Sequence, residues 1–312
     1  QHRRRVLQGP RLDRFTHHHD GDAQHRAGRP EGRAHARAGE RDPENCRAAA
    51  RGRAPARRSR RQSQEALVAK EFIAAQPGNW TLESIAWDRF DLSKVDPEIL
   101  RNIKAAAMVE RNGSDYAIYL SRVFADDPGA VADVGRWSLE EVQHGMALGR
   151  WAQLADPSWD FDAAFARFRA GYQLPLDATR SVRGSQAGEM MARCIVETGT
   201  SSYYSALHDA TEEPVLKQIC RRIAADEFRH YKLFYDHMRR YQDRERIGGV
   251  RRALIAIGRV RESEDDELAF AFHCANEPAD RAYDRERCNT AYLNGAMRFY
   301  RPTHVRRGVG MT

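Results

Sequence analysis

Cysteine is scarce and scattered in this chain of 312 residues. Its five cysteines, Cys46, Cys194, Cys220, Cys274 and Cys288, form no Cys-x-x-Cys pair. That speaks against a zinc ribbon, a rubredoxin-like module and a cysteine-ligated iron–sulfur cluster, and predicts reduced thiols in a cytoplasmic protein. No uninterrupted apolar run approaches the ~18 residues of a membrane span. No stretch shows convincing period-two alternation, so strands are not expected. No flavin or nicotinamide fingerprint is present, so redox chemistry would need electrons from outside.

Lysine is missing from residues 1–61, which hold 17 Arg and 7 acidic residues, a net of +10. The whole chain is formally +7, which leaves −3 for the remainder. The basic character therefore belongs to the N-terminal segment. Residues 1–63 lack apolar periodicity and read as a disordered Arg-rich tail. A basic segment of this kind could serve as a nucleic-acid arm or a transit peptide; acidic residues and the missing Ser bias oppose the latter. The first Met is Met108, which fits a non-native upstream segment, and no nucleic-acid partner is expected.

What is present is helix. The pattern predicts a short helix over Gln64–Gln76 and an irregular aromatic segment over Trp80–Val95. Asp96-Pro97-Glu98 is a helix start, and that helix should run through Glu110 to about Phe124. Further helices are expected at about Ala130–Leu154, Phe161–Tyr172, Ser185–Ala210, Val215–Gln242, Val250–Val260, Asp265–Cys274 and Ala279–Phe299. Residues 64–300 should form one all-α domain, with 301–312 as a C-terminal tail.

Two of these helices carry Glu-x-x-His: Glu141 with His144, and Glu227 with His230. Beyond residue 63, composition alone would give about 0.4 such matches by chance, so a single one would mean little. The repeat is more specific. Glu110 precedes Glu141 by 31 residues and Glu197 precedes Glu227 by 30. At about 1.5 Å per residue, fifteen residues up, a turn and fifteen back place each upstream Glu level with its motif on an antiparallel neighbour. Four carboxylates and two imidazoles in this arrangement are the ligand set of a dinuclear metal site in a four-helix bundle.

Charge agrees. Four ionised carboxylates facing one another in a core would repel and be poorly solvated. Two divalent cations balance them with neutral imidazoles. Oxygen ligands with imidazole suit iron or manganese better than zinc or calcium.

The run Trp137-Ser138-Leu139-Glu140-Glu141-Val142-Gln143-His144-Gly145 resembles the W-T-x-E-E-N-x-H-G segment of soluble acyl-acyl-carrier-protein desaturases. Gln218–His230 is similar to that family's I-x-x-I-A-x-D-E-x-R-H segment. The resemblance spans about residues 80–245. It implies a ferritin-like di-iron four-helix bundle with additional helices and two Fe2+ ions bound by Glu110, Glu141, His144, Glu197, Glu227 and His230. It further implies O2 as co-substrate, a fatty acyl chain on acyl carrier protein, a ferredoxin-type electron donor and a homodimer. Glu197 matches the family's bridging Glu, because Thr200 follows one turn later as the oxygen-site Thr does. Asp226 matches an Asp that hydrogen-bonds a ligand His, and Trp87 is taken as the tryptophan ending that path. Glu110 matches by position, while its neighbours do not reproduce the family's segment. The Glu110–Glu141 spacing is shorter than in the plant enzymes, and the C-terminal part matches weakly.

The remaining residues read more plainly. Glu140 is read as a surface or supporting residue, and His208, His237 and His273 as exposed or satisfied. The pairs Arg221/Arg222 and Arg229/Lys232 read as a solvated helix face before a docking site. Thr200 could simply cap a carbonyl of its own helix. Beside a desaturase, two readings stay open: a di-iron oxygenase that hydroxylates or N-oxidises another substrate, and a ferritin-like iron-binding protein. The length of the ordered region disfavours the latter.

Overall fold

The computed structural model describes residues 80–262 and 266–311. The Arg-rich tail, the helix expected at 64–76 and Cys46 lie outside the described residues. Among those described, every long element is a helix and no strand occurs. In chain order they are α1 (Pro97–Arg111), α2 (Gly113–Val123), α3 (Pro128–Ala155), α4 (Phe161–Gly171), α5 (Gln186–Ala210), α6 (Pro214–Glu245), α7 (Gly249–Glu262), α8 (Asp266–Asn276), α9 (Arg285–Met297) and α10 (Pro302–Met311). Three single turns of 3-10 helix fill Leu82–Ser84, Trp87–Arg89 and Leu92–Lys94, where an irregular segment was expected. No described helix is long and apolar enough to cross a membrane.

Local chemistry sets the helix starts. Asp96 accepts from the amides of Glu98 and Ile99 ahead of Pro97, Asp127 from Ala130 ahead of Pro128, and Ser185 from Gly188. Glu213 caps α6 by accepting from Leu216 at 2.7 Å, ahead of Pro214. Each such cap is worth about 1 kcal/mol. Three residues join α5 to α6, so these two pack along each other as an antiparallel hairpin. α1 lies against α3, and α3 against α6.

Three boundaries depart from expectation. The helix through Glu110 is broken at Asn112, with φ −77° and ψ 1°, and resumes as α2. The segment expected to be helical from Ala279 starts only at Arg285, capped by Asp284. The expected C-terminal tail contains α10, anchored by His304, which is fully buried and contacts Asp209 at 2.9 Å.

The core falls into two apolar clusters. One gathers Ile103, Leu148, Trp151, Tyr204, Leu207, Ile219 and Ile223; the other gathers Leu120, Val134, Trp137, Met190, Cys194, Phe234 and Tyr241. On α3, α5 and α6 the buried members of the two are separated by two to three turns. Those turns hold Glu141 and His144, Glu197, and Glu227 and His230. A polar layer is thus closed above and below by hydrocarbon. Cys194, Cys220, Cys274 and Cys288 are buried and free, as their spacing predicts.

Candidate metal centre

Four helices deliver the six predicted ligands to that layer: α1 brings Glu110, α3 Glu141 and His144, α5 Glu197, and α6 Glu227 and His230. All six are buried. Two glycines allow the approach. A Cβ on Gly113 would stand 2.5 Å from Glu141 Cβ. One on Gly145 would stand 2.7 Å from both the Ala107 carbonyl oxygen and Arg111 Cα. α3 therefore touches the α1 backbone on either side of Glu110.

The six side chains form two overlapping sets. Glu110, Glu141, His144 and Glu227 each point one donor atom into a group spanning at most 4.8 Å, and so do Glu141, Glu197, Glu227 and His230. Glu141 and Glu227 belong to both sets. With two ions bound, the shared position expected of Glu197 would fall to these two, while Glu110 and Glu197 each belong to one set. The reason is geometric: the two Glu-x-x-His helices, α3 and α6, face each other across the layer.

Each of the six also holds one buried atom without a hydrogen-bond partner: Glu110 Oε2, Glu141 Oε1, His144 Nδ1, Glu197 Oε1, Glu227 Oε1 and His230 Nδ1. Buried polar atoms are rarely left so. His144 Nδ1 lies 3.2 Å from Glu227 Oε1 and 3.4 Å from Glu110 Oε2, and His230 Nδ1 lies 2.9 Å from Glu141 Oε1. Six convergent orphans of this chemistry fit two divalent cations.

Without metal, protons must balance the charge. Burial alone would lower the pKa of His144, but Asp226, Glu110 and Glu227 outweigh it and hold it well above the usual imidazole range. Burial likewise opposes, and Glu140, Glu141 and Glu227 impose, a strongly raised value at His230. Burial and then the charge of Glu227 push Glu141 and Glu197 well up. Burial would raise Glu227 too, yet the two imidazoles close beside it hold it well below the ordinary carboxylate range. Metal must displace these protons, so affinity should rise as pH rises through the raised range of the two imidazoles. Calorimetry in buffers of different ionisation enthalpy should show protons released on binding; binding without proton release would contradict this.

The outer nitrogens are fixed crosswise. His144 on α3 meets Asp226 Oδ2 of α6 at 2.9 Å through Nε2, and His230 on α6 meets Glu140 Oε2 of α3 at 2.9 Å through Nε2. Arg229 joins the two acids, donating to Asp226 Oδ1 at 2.5 Å and to Glu140 Oε2 at 3.1 Å. Glu140 is therefore a supporting residue, and Arg229, on an exposed helix face as expected, reaches both acids from there. Each acid immediately precedes a ligand Glu, a symmetry in the sequence that could have revealed Glu140. The tryptophan on this path is Trp80, not Trp87. Trp80 Nε1 donates to Asp226 Oδ2 at 2.7 Å, and its ring stacks on His144 with centroids 6.0 Å apart. Trp87 donates instead to the Leu82 carbonyl. Asp226→Asn should cost about 10–100-fold in metal affinity, read by competition with a chelator; unchanged affinity would make Asp226 a mere ion-pair partner.

Thr200 meets both its own helix and the candidate metal layer. Its Oγ1 lies 3.2 Å from the carbonyls of Val196 and Glu197, and it donates to the shared Glu227 Oε2 at 2.9 Å. One turn on, Tyr204 donates to Glu110 Oε1 at 2.6 Å; it was missed, and its position seven residues after Glu197 was the available signal. His208 meets the Lys217 carbonyl, His237 meets Asp133, and His273 packs on Phe270 and Tyr283. None of the three joins the centre.

No family model matches this sequence, and no curated protein matches it.

Proposed function

We propose that this chain is an O2-dependent di-iron oxidoreductase on a ferritin-like four-helix bundle, and that it desaturates a fatty acyl chain carried by acyl carrier protein. The observation that carries the oxidative reading is the hydroxyl of Thr200 on the shared Glu227, inside a layer whose six orphaned donors match two metals. The likeness of the Trp137–Gly145 and Gln218–His230 runs to the desaturases supports the acyl substrate.

Two bound irons would supply the reduction of O2 and the oxidising power to remove hydrogen from an unactivated C–H bond. The protein's part is positioning. Asp226 and Glu140 hold the imidazoles with Nδ1 inward. Thr200 Oγ1 holds a proton beside the carboxylate common to both sets. The apolar clusters around Leu148 and Ile223, and around Trp137 and Phe234, exclude water. The hydrogen-bonded series Trp80–Asp226–His144 offers electrons from a ferredoxin-type donor a route inward. The resemblance supports a cytoplasmic homodimer.

A second reading has its own support. Glu189, Arg193 and Glu267 are buried beside Tyr116, polar company for a hydrocarbon chain. This favours an oxygenase acting on a polar substrate with the same metal ligands.

Iron-loaded protein, reduced ferredoxin, O2 and a panel of acyl carriers decide between them. Loss of two hydrogens by mass marks desaturation, and gain of one oxygen marks hydroxylation. No oxidation of any substrate, with O2 consumed no faster than by metal-free protein, would overturn the oxidative reading. Thr200→Val should keep iron content while uncoupling O2 consumption from product; wild-type coupling would reduce Thr200 to helix packing.

A further inference from the structure

We propose that Arg193 is the binding group for a carboxylate on the substrate, so that the molecule oxidised is a small organic acid with its acid group free. The inference rests on the oxidative metal centre proposed above and follows its second reading, a polar substrate, in place of the acyl chain on carrier protein.

Arg193 stands on α5 one turn before the ligand Glu197. Residues four apart on a helix have Cβ atoms about 5–6 Å apart, so Glu189, Arg193, Glu197, Thr200 and Tyr204 share one face. Arg193 is only 6% exposed. Its Nε is buried and makes no hydrogen bond. The one carboxylate within ion-pair range among the described residues is Glu189, whose Oε1 is 4.0 Å from that Nε. Glu189 is already served: Tyr119 donates to its Oε2 at 2.9 Å and Ser181 at 2.7 Å. Tyr116 lies beneath the guanidinium at 4.8 Å and spends its own hydroxyl on Glu267 at 2.6 Å. Arg259 of α7 adds a second cation to the group; burial and the charge of Arg193 lower its pKa.

A buried guanidinium offers five N–H donors in a planar fork, and leaving them unspent is costly. Glu189 and Glu267 offset the charge from a distance, and the buried Nε is left without a partner. What is missing is a planar acceptor pair. A carboxylate meets the fork with two parallel hydrogen bonds and is cheaper to desolvate than a phosphate dianion. An acid group held there would place the carbons nearest to it beside Glu197 and the metal layer. A thioester-linked acyl chain carries no such charge at its head.

The test is calorimetric titration of the full chain, iron-loaded and metal-free, with benzoate and octanoate and with their neutral counterparts benzamide and octanamide. At least one acid should bind the wild type about tenfold or more tightly than its amide. Arg193→Gln should abolish that preference while iron content stays at the wild-type level, and Arg193→Lys should restore part of it. Equal binding of acids and amides, or binding of neither, overturns the proposal. So does an acid preference that survives Arg193→Gln, since the acid would then be ligating metal. Should Arg193→Gln fail to fold, the wild-type preference in the metal-free chain decides. Failure of the chain to hold iron would remove the proposed function, and the metal-free titration would still report on Arg193.

Discussion

Replacing His144 and His230 together with alanine should take the iron content from about two per chain to near zero. Each metal set has a single nitrogen donor, with Nδ1 aimed inward and Nε2 tied outward. Carboxylates alone would form a more weakly bound oxygen site. The variant also tests the proton balance of the metal-free fold. The pKa values of both imidazoles are raised by folding, because surrounding carboxylates outweigh burial. Their contribution to stability is fully present below the unfolded histidine value of about 6.5 and is lost as pH rises through the raised folded value. Metal-free wild type should therefore lose stability between mildly acidic and alkaline pH, and the double variant should lose much less. Iron analysis after loading, and melting of the metal-free proteins across pH, check both parts. Full iron content in the double variant would overturn the ligand assignment.

The second large effect comes from a residue without a side chain. Gly145→Ala would drive a Cβ to 2.7 Å from the Ala107 carbonyl oxygen and from Arg111 Cα. These are backbone atoms of α1, so no rotamer can relieve the contact; α1 and α3 must separate. Overpacking of this kind costs about 3 kcal/mol, at the upper end of its usual range. It should also displace Glu110, which lies between the two crowded residues, and so weaken the metal set that includes it. Gly135→Ala on the same helix is the control. Nothing lies within 4 Å of a Cβ there, and that change should stabilise by about 0.5–1 kcal/mol through backbone entropy. Denaturant midpoints and iron stoichiometry report both. An unperturbed Gly145→Ala protein would mean that the α1–α3 approach does not govern the site.

The interrupted helix shows where periodicity fails. Between Pro97 and Phe124 the apolar pattern runs on without a proline, so one helix was expected. The break instead falls at the dipeptide Asn112-Gly113, a local breaker signal that the apolar pattern masked, and the bare Gly113 there lets Glu141 approach closely. Trp80 and Trp87 are similar. Both sit in an irregular segment, where side-chain direction has no period to follow, and the wrong one was assigned to the Asp226 path.

The sequence by itself determined the helices, the separation of an Arg-rich tail from an acidic helical part, and all six donors of the metal layer. It could do so because Glu-x-x-His places both groups on one helical face, and a thirty-residue return brings the upstream Glu level with it. Tertiary structure alone decided which carboxylates are shared, that Asp226 serves the histidine of the opposite helix while Glu140 does the reverse, and that Arg229 joins them. It alone left the guanidinium of Arg193 buried and unspent beside the centre. Spacing along a helix fixes which side chains share a face. Which partner each one meets depends on how deeply neighbouring helices settle against one another, and here that depth is set by the bare backbone of Gly113 and Gly145.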